Sequence, residues 1–323
     1  MERALGKSEI NVSAIGMGCW AIGGPFSNEG VPVGWGPVDD AESRAALREA
    51  FAQGITFFDT SDAYGTGHSE RMIGEVFASM RDQVIIGTKF GKVIDEARRE
   101  LIGNRADEAY IRSACEASLR RLRTDYIDLY QFHIGDYPAE QAPAVMEVLE
   151  SLVAEGKIRS YAWSTDDPVN AAVFATGSHC DAVQHRINIF EDALEMIALC
   201  EAHGLTSINR SPLVMGLLTG KYTPASQFAA DDIRVNDLDW MAYFKEGKPS
   251  PELMARLAAI RDILTSGGRT LAQGALAWLL ARSAQTVPIP GIRTVAQARE
   301  NAGAMAHGPL TPAQMAEIEG LVR

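Results

Sequence analysis

The feature that most constrains the fold of this 323-residue chain is a regular alternation of short apolar stretches with amphipathic helical stretches. Stretches rich in β-branched and aromatic residues are each followed by a segment whose apolar residues recur at i, i+3, i+4 and i+7. Eight such strand-then-helix units can be counted, and the connections between successive strands are too long for hairpins, which implies parallel pairing. Eight parallel units are the number that closes a (β/α)8 barrel. The predicted strands lie at residues 14–18, 55–58, 84–88, 126–131, 158–163, 182–184, 205–208 and 286–288.

Two further segments frame this pattern. Residues 3–13 alternate apolar and polar groups, which predicts a short N-terminal β-hairpin that caps one end of the barrel. Thr311, Pro312 and Gln314 have the spacing of a capping box that opens a C-terminal helix. We therefore expect residues 1–323 to form a single α/β domain, a TIM barrel with an added hairpin and helix. A doubly wound sheet stays possible, although no G-x-G-x-x-G motif follows the first strand.

Three long segments without regular periodicity each follow a predicted strand. They lie at residues 22–37, 90–105 and 223–250. Loops that follow the strands of a barrel gather on its C-terminal face, where barrels of this kind place their active sites. We expect these segments to be irregular loops around the site.

Composition excludes several classes of function. A formal net charge of -12 and a pI near 5.0 disfavour binding to nucleic acid or to anionic membranes, which requires Lys and Arg. The N-terminal residues lack the apolar core of a signal peptide, and no apolar stretch is long enough to span a membrane, so the cytoplasm is the expected location. The four cysteines form no C-x-x-C pair, which indicates reduced thiols, and no H-x-H or H-E-x-x-H motif predicts a metal site.

Polar residues follow three consecutive predicted strands. Asp59 and Tyr64 come after the second strand, Lys89 after the third and His133 after the fourth. Taken singly, these residues are ordinary turn, packing or solvated residues, but parallel strands would bring all four to one rim of the barrel. Ser69 is predicted to cap the helix that follows.

The stretch from Asp59 through Tyr64-Gly65 to Gly67-His68-Ser69-Glu70 resembles the signature of the aldo-keto reductases. The resemblance implies that Asp59, Tyr64, Lys89 and His133 form a catalytic tetrad for hydride transfer to a carbonyl. Tyr64 would be the general acid, and Lys89 would lower the pKa of its phenol. Asp59 would anchor Lys89, and His133 would orient the carbonyl oxygen.

The same resemblance extends over most of the chain and implies an NADP(H) site. Arg210 stands where the family has an aromatic residue that stacks on the nicotinamide, and Thr165 replaces an Asn of the carboxamide site. Arg293, at the start of a helix, suits a 2′-phosphate, whereas Gln297 and Asn301 could equally be a solvated helix face. The full set implied is Gly18, Cys19, Trp20, Ser164, Thr165, Gln184, Arg210, Ser211, Pro212, Leu213, Gly216, Leu218, Thr219, Lys221, Gly291, Arg293, Thr294, Gln297, Glu300 and Asn301.

The predicted function is NADP(H)-dependent reduction of a small aldehyde or ketone. One alternative is a nicotinamide-binding regulatory subunit with little turnover, similar to the potassium-channel β-subunits. A lyase or isomerase barrel without nicotinamide would leave the cofactor motifs without a role. Trp20, Trp35, Trp163, Phe90 and Tyr137 could line an apolar substrate pocket or could simply be packing residues. The substrate and the oligomeric state stay open at the level of sequence.

Overall fold

The computed structural model describes residues 1–236, 238 and 241–322. Its strands are, in chain order, β1 (Glu2–Ala4), β2 (Asn11–Ser13), β3 (Met17–Gly18), β4 (Ser27–Asn28), β5 (Val31–Pro32), β6 (Phe57–Asp59), β7 (Ile85–Phe90), β8 (Lys92–Asp95), β9 (Glu100–Asn104), β10 (Ile127–Phe132), β11 (Ile158–Ser164), β12 (Cys180–Arg186), β13 (Thr206–Arg210), β14 (Phe244–Lys245), β15 (Lys248–Pro249) and β16 (Thr286–Pro288). Its α-helices are α1 (Asp40–Ala52), α2 (His68–Phe77), α3 (Glu108–Leu122), α4 (Ala142–Ala154), α5 (Pro168–Ala175), α6 (Leu194–His203), α7 (Pro251–Thr265), α8 (Leu271–Arg282), α9 (Val295–His307) and α10 (Pro312–Val322).

Eight of these strands form one parallel sheet in the order β16-β13-β12-β11-β10-β7-β6-β3. The sheet closes on itself because Gly18 of β3 bridges Gly291, which follows β16. The Gly18 amide donates to the Pro290 carbonyl at 2.9 Å, and the Ile292 amide donates to the Gly18 carbonyl at 3.3 Å. A Cβ atom at Gly18 would lie 2.7 Å from the Ile289 carbonyl oxygen, so the closure requires glycine. The predicted (β/α)8 barrel is confirmed.

The lower half of the barrel is filled by apolar side chains. Leu5 and Val12 of the β1–β2 hairpin are fully buried against the same cluster, so the hairpin closes the N-terminal end as predicted. Alternate residues of a barrel strand point inward, so the side chains two positions further along each strand form the next layer. On five of the strands that layer is polar, with the residues Asp59, Gln131, Ser164, Gln184 and Arg210. The barrel residues of the apolar cluster are Phe57, Leu129, Ala162, Ala182, Ile208, Val287 and Ile289.

The helices surround the barrel and bury the faces that meet the sheet, and α8 is buried on nearly all sides. Two large apolar clusters lie between the sheet and the helices. Among the described residues, no helix is long and apolar enough to cross a membrane. Thr311 and Gln314 make the predicted reciprocal cap of α10, with the Gln314 amide 3.3 Å from Thr311 Oγ1 and the Thr311 amide 2.9 Å from Gln314 Oε1.

The predicted capping role of Ser69 is wrong. Helix α2 begins one residue earlier, at His68, and its N-cap is Gly67 with a left-handed φ of 89°. The Ser69 hydroxyl donates to the Cys19 carbonyl at 2.9 Å and accepts from Thr60 Oγ1 at 2.8 Å. Ser69 therefore links the start of α2 to two strand ends. It does not cap the helix by accepting a hydrogen bond from a backbone amide of the first turn.

The first two long loops are less irregular than expected. Strands β4, β5, β8 and β9 form a separate four-stranded sheet above the barrel. Its strands are short and come from segments distant in sequence, so no local alternation identified them. The third segment contains the β14–β15 hairpin, and residues 237, 239 and 240 of that segment lie outside the described residues.

Candidate active site

The four residues predicted as catalytic meet at the C-terminal end of the barrel. Lys89 Nζ lies 2.6 Å from Asp59 Oδ2 and 3.3 Å from the hydroxyl oxygen of Tyr64. Lys89 also donates to the Thr60 carbonyl at 2.7 Å. The ring of His133 faces the ring of Tyr64 edge to face, with centroids 6.3 Å apart. A phenol, an ammonium, a carboxylate and an imidazole therefore occupy one small volume.

Two glutamine side chains complete the coordination of Asp59. Gln131 Nε2 and Gln184 Nε2 donate to Asp59 Oδ1 at 2.8 and 2.7 Å, and Gln184 Nε2 also lies 3.1 Å from Gln131 Oε1. Together with Lys89, they surround a carboxylate that is 2 % exposed. The sequence prediction missed Gln131. A signal existed, since Gln131 lies two residues before His133 on the same strand and thus faces the same side.

The charges of this cluster keep Lys89 protonated and Tyr64 neutral. Burial favours the neutral amine of Lys89, but Asp59 and Tyr64 outweigh it, and the pKa of the ammonium is raised. Burial raises the pKa of the Tyr64 phenol, and Lys89 offsets only part of that effect. Lys89 lowers the pKa of Tyr64 as expected, but the net shift is upward because desolvation of the phenolate exceeds the attraction of Lys89.

His133 is a neutral imidazole in this environment. Burial lowers its pKa well below the ordinary value, and the positive charges of Lys89 and Lys92 lower it further. Its Nδ1 atom lies 3.4 Å from the Ser61 hydroxyl oxygen. A neutral ring has one donor nitrogen and one acceptor nitrogen, so the chemistry of His133 depends on which nitrogen carries the proton.

Aromatic residues form one side of the cleft. Trp20 stacks on Tyr64 with ring centroids 6.0 Å apart and meets Trp35 edge to face at 5.4 Å. Trp163 and Phe90 are fully buried in the core, so the suggestion that they line a pocket is wrong. Tyr137 packs against the Phe132 ring of the same core cluster at 5.1 Å. The alternation of apolar and polar residues in the sequence could not show which aromatic side chains point outward to the helices and which lie at the rim of the barrel.

Several residues predicted for the cofactor lie at or directly after the ends of β3, β11 and β12. Ser164 pairs with Gln184 across adjacent strands, so both reach the same rim as His133. Thr165 donates its hydroxyl to the Gly135 carbonyl at 2.7 Å, which fixes the following loop. Cys19 is buried, and burial raises the pKa of its thiol. Cys19 therefore stays a neutral side chain under the Asp59 end of the cluster.

Arg210 ends β13 and forms an ion pair with Asp166. Its register partner on β12 is Arg186, which lies 3.7 Å from the same carboxylate. The charge of Arg210 acts on Tyr64 and on His133, lowering the pKa of each group. Arg210 thus faces the cleft, with a carboxylate partner that the sequence prediction missed.

The turn after β13 has a strained backbone. Ser211, Val214 and Met215 have φ angles of 56°, 53° and 53°, a left-handed conformation that is unfavourable for residues other than glycine. Gly216 follows with φ 91°. The side chains of Leu213 and Leu218, like Pro212, are buried, so this turn would contact a ligand through its backbone. Backbone strain of this kind concentrates at ligand-binding turns.

Two side chains that follow this turn, those of Thr219 and Lys221, differ in their exposure to solvent and in their contacts. Thr219 donates its hydroxyl to the Gly216 carbonyl at 2.7 Å. Lys221 is exposed, and its ammonium lies 5.0 Å from the centroid of the Tyr222 ring.

The start of α9 is held by side chains of the protein itself. Gln297 Oε1 accepts the amides of Arg293 and Thr294 at 2.8 and 3.3 Å, and Thr294 completes the capping box. The next amide, that of Val295, donates to the carboxylate of Glu42 at 2.9 Å. The Arg293 guanidinium donates to two carbonyls of the first long loop, those of Trp35 and Pro37.

Two other residues predicted on α9 have different environments. Asn301 is 3 % exposed and Ala298 is fully buried, so the face that contains Asn301 is not the solvated stripe considered as an alternative. Glu300 is half-buried, and its carbonyl accepts from Gln273 Nε2 at 2.9 Å. The helix is thus packed against α8 over its first two turns.

Comparison with known proteins agrees with this architecture. The model of the aldo/keto reductase family matches residues 14–323. The chain is 33% identical over 299 residues to aldo-keto reductase YhdN of Bacillus subtilis, covering 91% of this chain and 85% of that protein. The structure of glycerol dehydrogenase AKR11B4 from Gluconobacter oxydans superposes with a TM-score of 0.83 at 25% identity, covering 99% of this chain and 94% of the other. An aldo/keto reductase from Klebsiella pneumoniae in complex with NADP and acetate gives a TM-score of 0.70 at 25% identity, with 99% and 95% coverage. The chain therefore belongs to the aldo/keto reductase family.

Proposed function

We propose that this protein is an NADP(H)-dependent oxidoreductase that reduces a small aldehyde or ketone to an alcohol, with Tyr64 as the general acid. The observation that carries the proposal is the buried chain from Asp59 through Lys89 to the Tyr64 hydroxyl, with separations of 2.6 and 3.3 Å. The NADP complex of the Klebsiella relative supports the choice of cofactor. A charged network of this kind at the C-terminal end of a barrel is a typical catalytic arrangement.

The residues of the cleft fit a nicotinamide dinucleotide at two places. Ser164 and Gln184 lie on adjacent strands beside His133, although the Gln184 amide nitrogen is already bound to Asp59. The strained turn at 211–216 offers backbone groups for a pyrophosphate, next to the exposed Lys221. At the third place, the start of α9, the Arg293 guanidinium already donates to two loop carbonyls, and Glu42 already holds one helix amide. We propose that a 2′-phosphate competes with Glu42 there.

The roles of the side chains follow from their protonation states. NADPH, when bound, supplies a hydride to the carbonyl carbon. A hydrogen bond from His133, together with the Tyr64 hydroxyl, would stabilise negative charge on the carbonyl oxygen. Tyr64 would give its proton to that oxygen, and the ammonium of Lys89 would stabilise the resulting phenolate. Asp59, held by Gln131 and Gln184, keeps Lys89 charged and fixed beside the phenol.

The decisive experiment compares Tyr64→Phe with the wild type. Removing the hydroxyl deletes the proposed acid without touching the other contacts, so we expect the turnover of a carbonyl panel with NADPH to fall ~10²- to 10⁴-fold. NADPH affinity, measured by fluorescence, should change little. Tyr126→Phe, at the opposite end of the barrel, is the matched control and should keep wild-type turnover.

The outcomes separate the proposal from its alternatives. A Tyr64→Phe variant with more than half of the wild-type turnover would remove Tyr64 from the mechanism. NADPH binding by the wild type without turnover on any panel member would instead favour a regulatory nicotinamide-binding protein. No binding of NADPH at all would contradict the cofactor assignment.

We also propose that residues 1–323 act as one domain in the cytoplasm. The hairpin, the barrel and α10 share buried contacts, and all four cysteines are buried thiols without a disulfide. Buried reduced thiols fit a reducing compartment. One cooperative thermal transition and recovery of the protein in the soluble cell fraction would support these two points, and separate transitions or a membrane-bound fraction would contradict them.

A further inference from the structure

The side chains behind His133 form a short hydrogen-bonded chain that the proposed mechanism does not use. The Ser61 hydroxyl oxygen lies 3.4 Å from His133 Nδ1 and 3.1 Å from Asp62 Oδ1. The Ala63 amide donates to the same hydroxyl oxygen at 3.1 Å. Ser61 and Asp62 are 0 % and 2 % exposed, so water does not compete for these contacts. A separation of 3.4 Å is long, but hydrogen bonds of active sites often shorten when substrate binds.

We propose that Ser61 and Asp62 are positioning residues that decide which ring nitrogen of His133 carries the proton. The proposal rests on the proposed function, because the nitrogen concerned is the one that would face a carbonyl oxygen. A serine hydroxyl has one proton to donate and two lone pairs to accept with. The Ala63 amide takes one lone pair, so the hydroxyl can arrange its remaining bonds between His133 and Asp62 in only two ways.

In the first arrangement, Asp62 is protonated. Its O–H donates to Ser61, the Ser61 hydroxyl donates to His133 Nδ1, and the proton of the neutral imidazole resides on Nε2. This form of His133 can donate a hydrogen bond to a carbonyl oxygen. In the second arrangement, Asp62 is ionised and accepts from Ser61. The hydroxyl oxygen then accepts from Nδ1–H, and Nε2 presents a lone pair that repels the carbonyl oxygen.

Conversion between the two arrangements releases a single proton. The Nε2 proton leaves to solvent, the hydroxyl proton of Ser61 moves to Nδ1, and the proton of Asp62 moves to the Ser61 oxygen. The imidazole and the hydroxyl are neutral before and after, and the negative charge ends on Asp62. No oxidant or other reactant is needed.

The surroundings of Asp62 determine when it ionises. Burial and the negative charge of Glu70 raise the pKa of Asp62 to about 8, while Arg121 lowers it. The Glu70 carboxylate accepts from Arg121 and from Thr88, each at 2.6 Å. Lys92 on β8, Tyr110 on α3 and Tyr130 on β10 also face this carboxylate. A pKa of about 8 places the ionisation of Asp62 between pH 6.5 and pH 9.5.

The test reads the tautomer of His133 directly, without substrate. In ¹⁵N-histidine-labelled wild-type protein, the His133 signals are assigned by their loss in His133→Asn. We expect the proton on Nε2 at pH 6.5 and on Nδ1 at pH 9.5. Asp62→Asn, whose amide N–H replaces the acid O–H, should hold the Nε2–H form at both pH values. Ser61→Ala should abolish the pH dependence of the His133 tautomer. Asp82→Asn, on the exposed surface, is the control and should keep that dependence.

Turnover provides the second readout. Between pH 7 and pH 9.5, kcat of the wild type should fall about a hundredfold, the usual effect of losing one donor to a developing oxyanion. The kcat of Asp62→Asn should fall by less than about twofold over the same pH range, because His133 keeps this donor in the variant. The pKa of Tyr64 is raised above its ordinary value, so its own titration lies at higher pH.

Two results would overturn the proposal. One is an unchanged tautomer of His133 between pH 6.5 and pH 9.5 in the wild type. The other is a pH dependence that persists in Ser61→Ala, because the effect would then come from the charge of Asp62 and not through the hydroxyl. If Asp62→Asn fails to fold, Ser61→Ala alone still decides. A wild type without carbonyl reduction would refute the proposed function but would leave the tautomer result standing.

Discussion

Two parts of the cleft differ in where their polar side chains find hydrogen-bond and ion-pair partners. One is the floor, formed by Asp59, Lys89, Gln131 and Gln184, and the other is the rim around the proposed cofactor site, which includes Arg210 and the start of α9. On the floor, Asp59 contacts Lys89, Gln131 and Gln184, so every partner belongs to the same cluster. On the rim, the Arg210 charge is paired with Asp166, and the start of α9 is held by Glu42. The floor is therefore preorganised by its own residues, whereas binding at the rim must exchange existing partners and loses part of its free energy to that exchange.

The largest expected effect tests how far the floor depends on its charge pair. Lys89→Met leaves Asp59 buried with two amide donors and no cation. We expect the free energy of unfolding to fall by about 3–5 kcal/mol, the usual result of removing one partner of a buried pair. Turnover should also fall ~10²-fold or more. Urea denaturation at pH 7 measures the first quantity, with the exposed Lys245→Met as control. A loss below about 1 kcal/mol would show that the glutamines alone sustain the floor.

A second substitution tests the rim at Arg293. A charge-assisted pair with a 2′-phosphate contributes about 1.5–3 kcal/mol, so Arg293→Ala should raise the NADPH dissociation constant roughly tenfold to a hundredfold. Arg293 also donates to the carbonyls of Trp35 and Pro37. A parallel rise in the NADH constant would mean that the loop contact matters more than the phosphate. Equal NADPH and NADH constants in the wild type would contradict the assignment of Arg293.

Glu42 is expected to weaken NADPH binding, whereas Arg293 is expected to strengthen it. Its carboxylate accepts the Val295 amide at the positive end of α9, the position that favours an anion. Glu42→Gln removes the charge with little change of shape, so NADPH should bind about two- to fivefold more tightly, in line with ~0.3–1 kcal/mol for a charge at a helix end. NADH should be unaffected. Glu49→Gln, which changes the Arg299 pair further along the same two helices, is the matched control. Unchanged NADPH affinity would show that the phosphate binds elsewhere.

The smallest expected effect concerns Arg210. A positive charge near the nicotinamide would disfavour the cationic NADP⁺ relative to NADPH and so favour carbonyl reduction, but Asp166 neutralises most of it. Arg210→Tyr should therefore tighten NADP⁺ over NADPH by only about fivefold or less, or about 1 kcal/mol. Asp166→Asn should shift the same ratio the other way. Calorimetry that shows equal changes for both cofactors would place Arg210 away from the ring.

Much of the floor could be predicted from the sequence, because the positions of its residues relative to the strand ends follow from local patterns. Asp59, Lys89 and His133 lie at the ends of three adjacent strands, and Tyr64 lies in the loop that follows the first of them. Parallel strands bring their ends to one rim whatever the details of packing. Their meeting point is confirmed by the structure, while their catalytic roles stay predictions. The partners of the rim were not predictable. Glu42 and Val295 are 253 positions apart, and no periodicity links them.

The sequence by itself determined the barrel and the order in which polar residues reach its mouth, because strand and helix periods are local properties that survive any rearrangement of loops. The tertiary structure decided which of these residues are held and by what. Gln184 reaches Asp59 across 125 positions, and burial rather than the neighbouring Lys89 sets the direction of the Tyr64 pKa. Hydrogen bonds across the barrel and the loss of water around a side chain exist only once distant segments have come together.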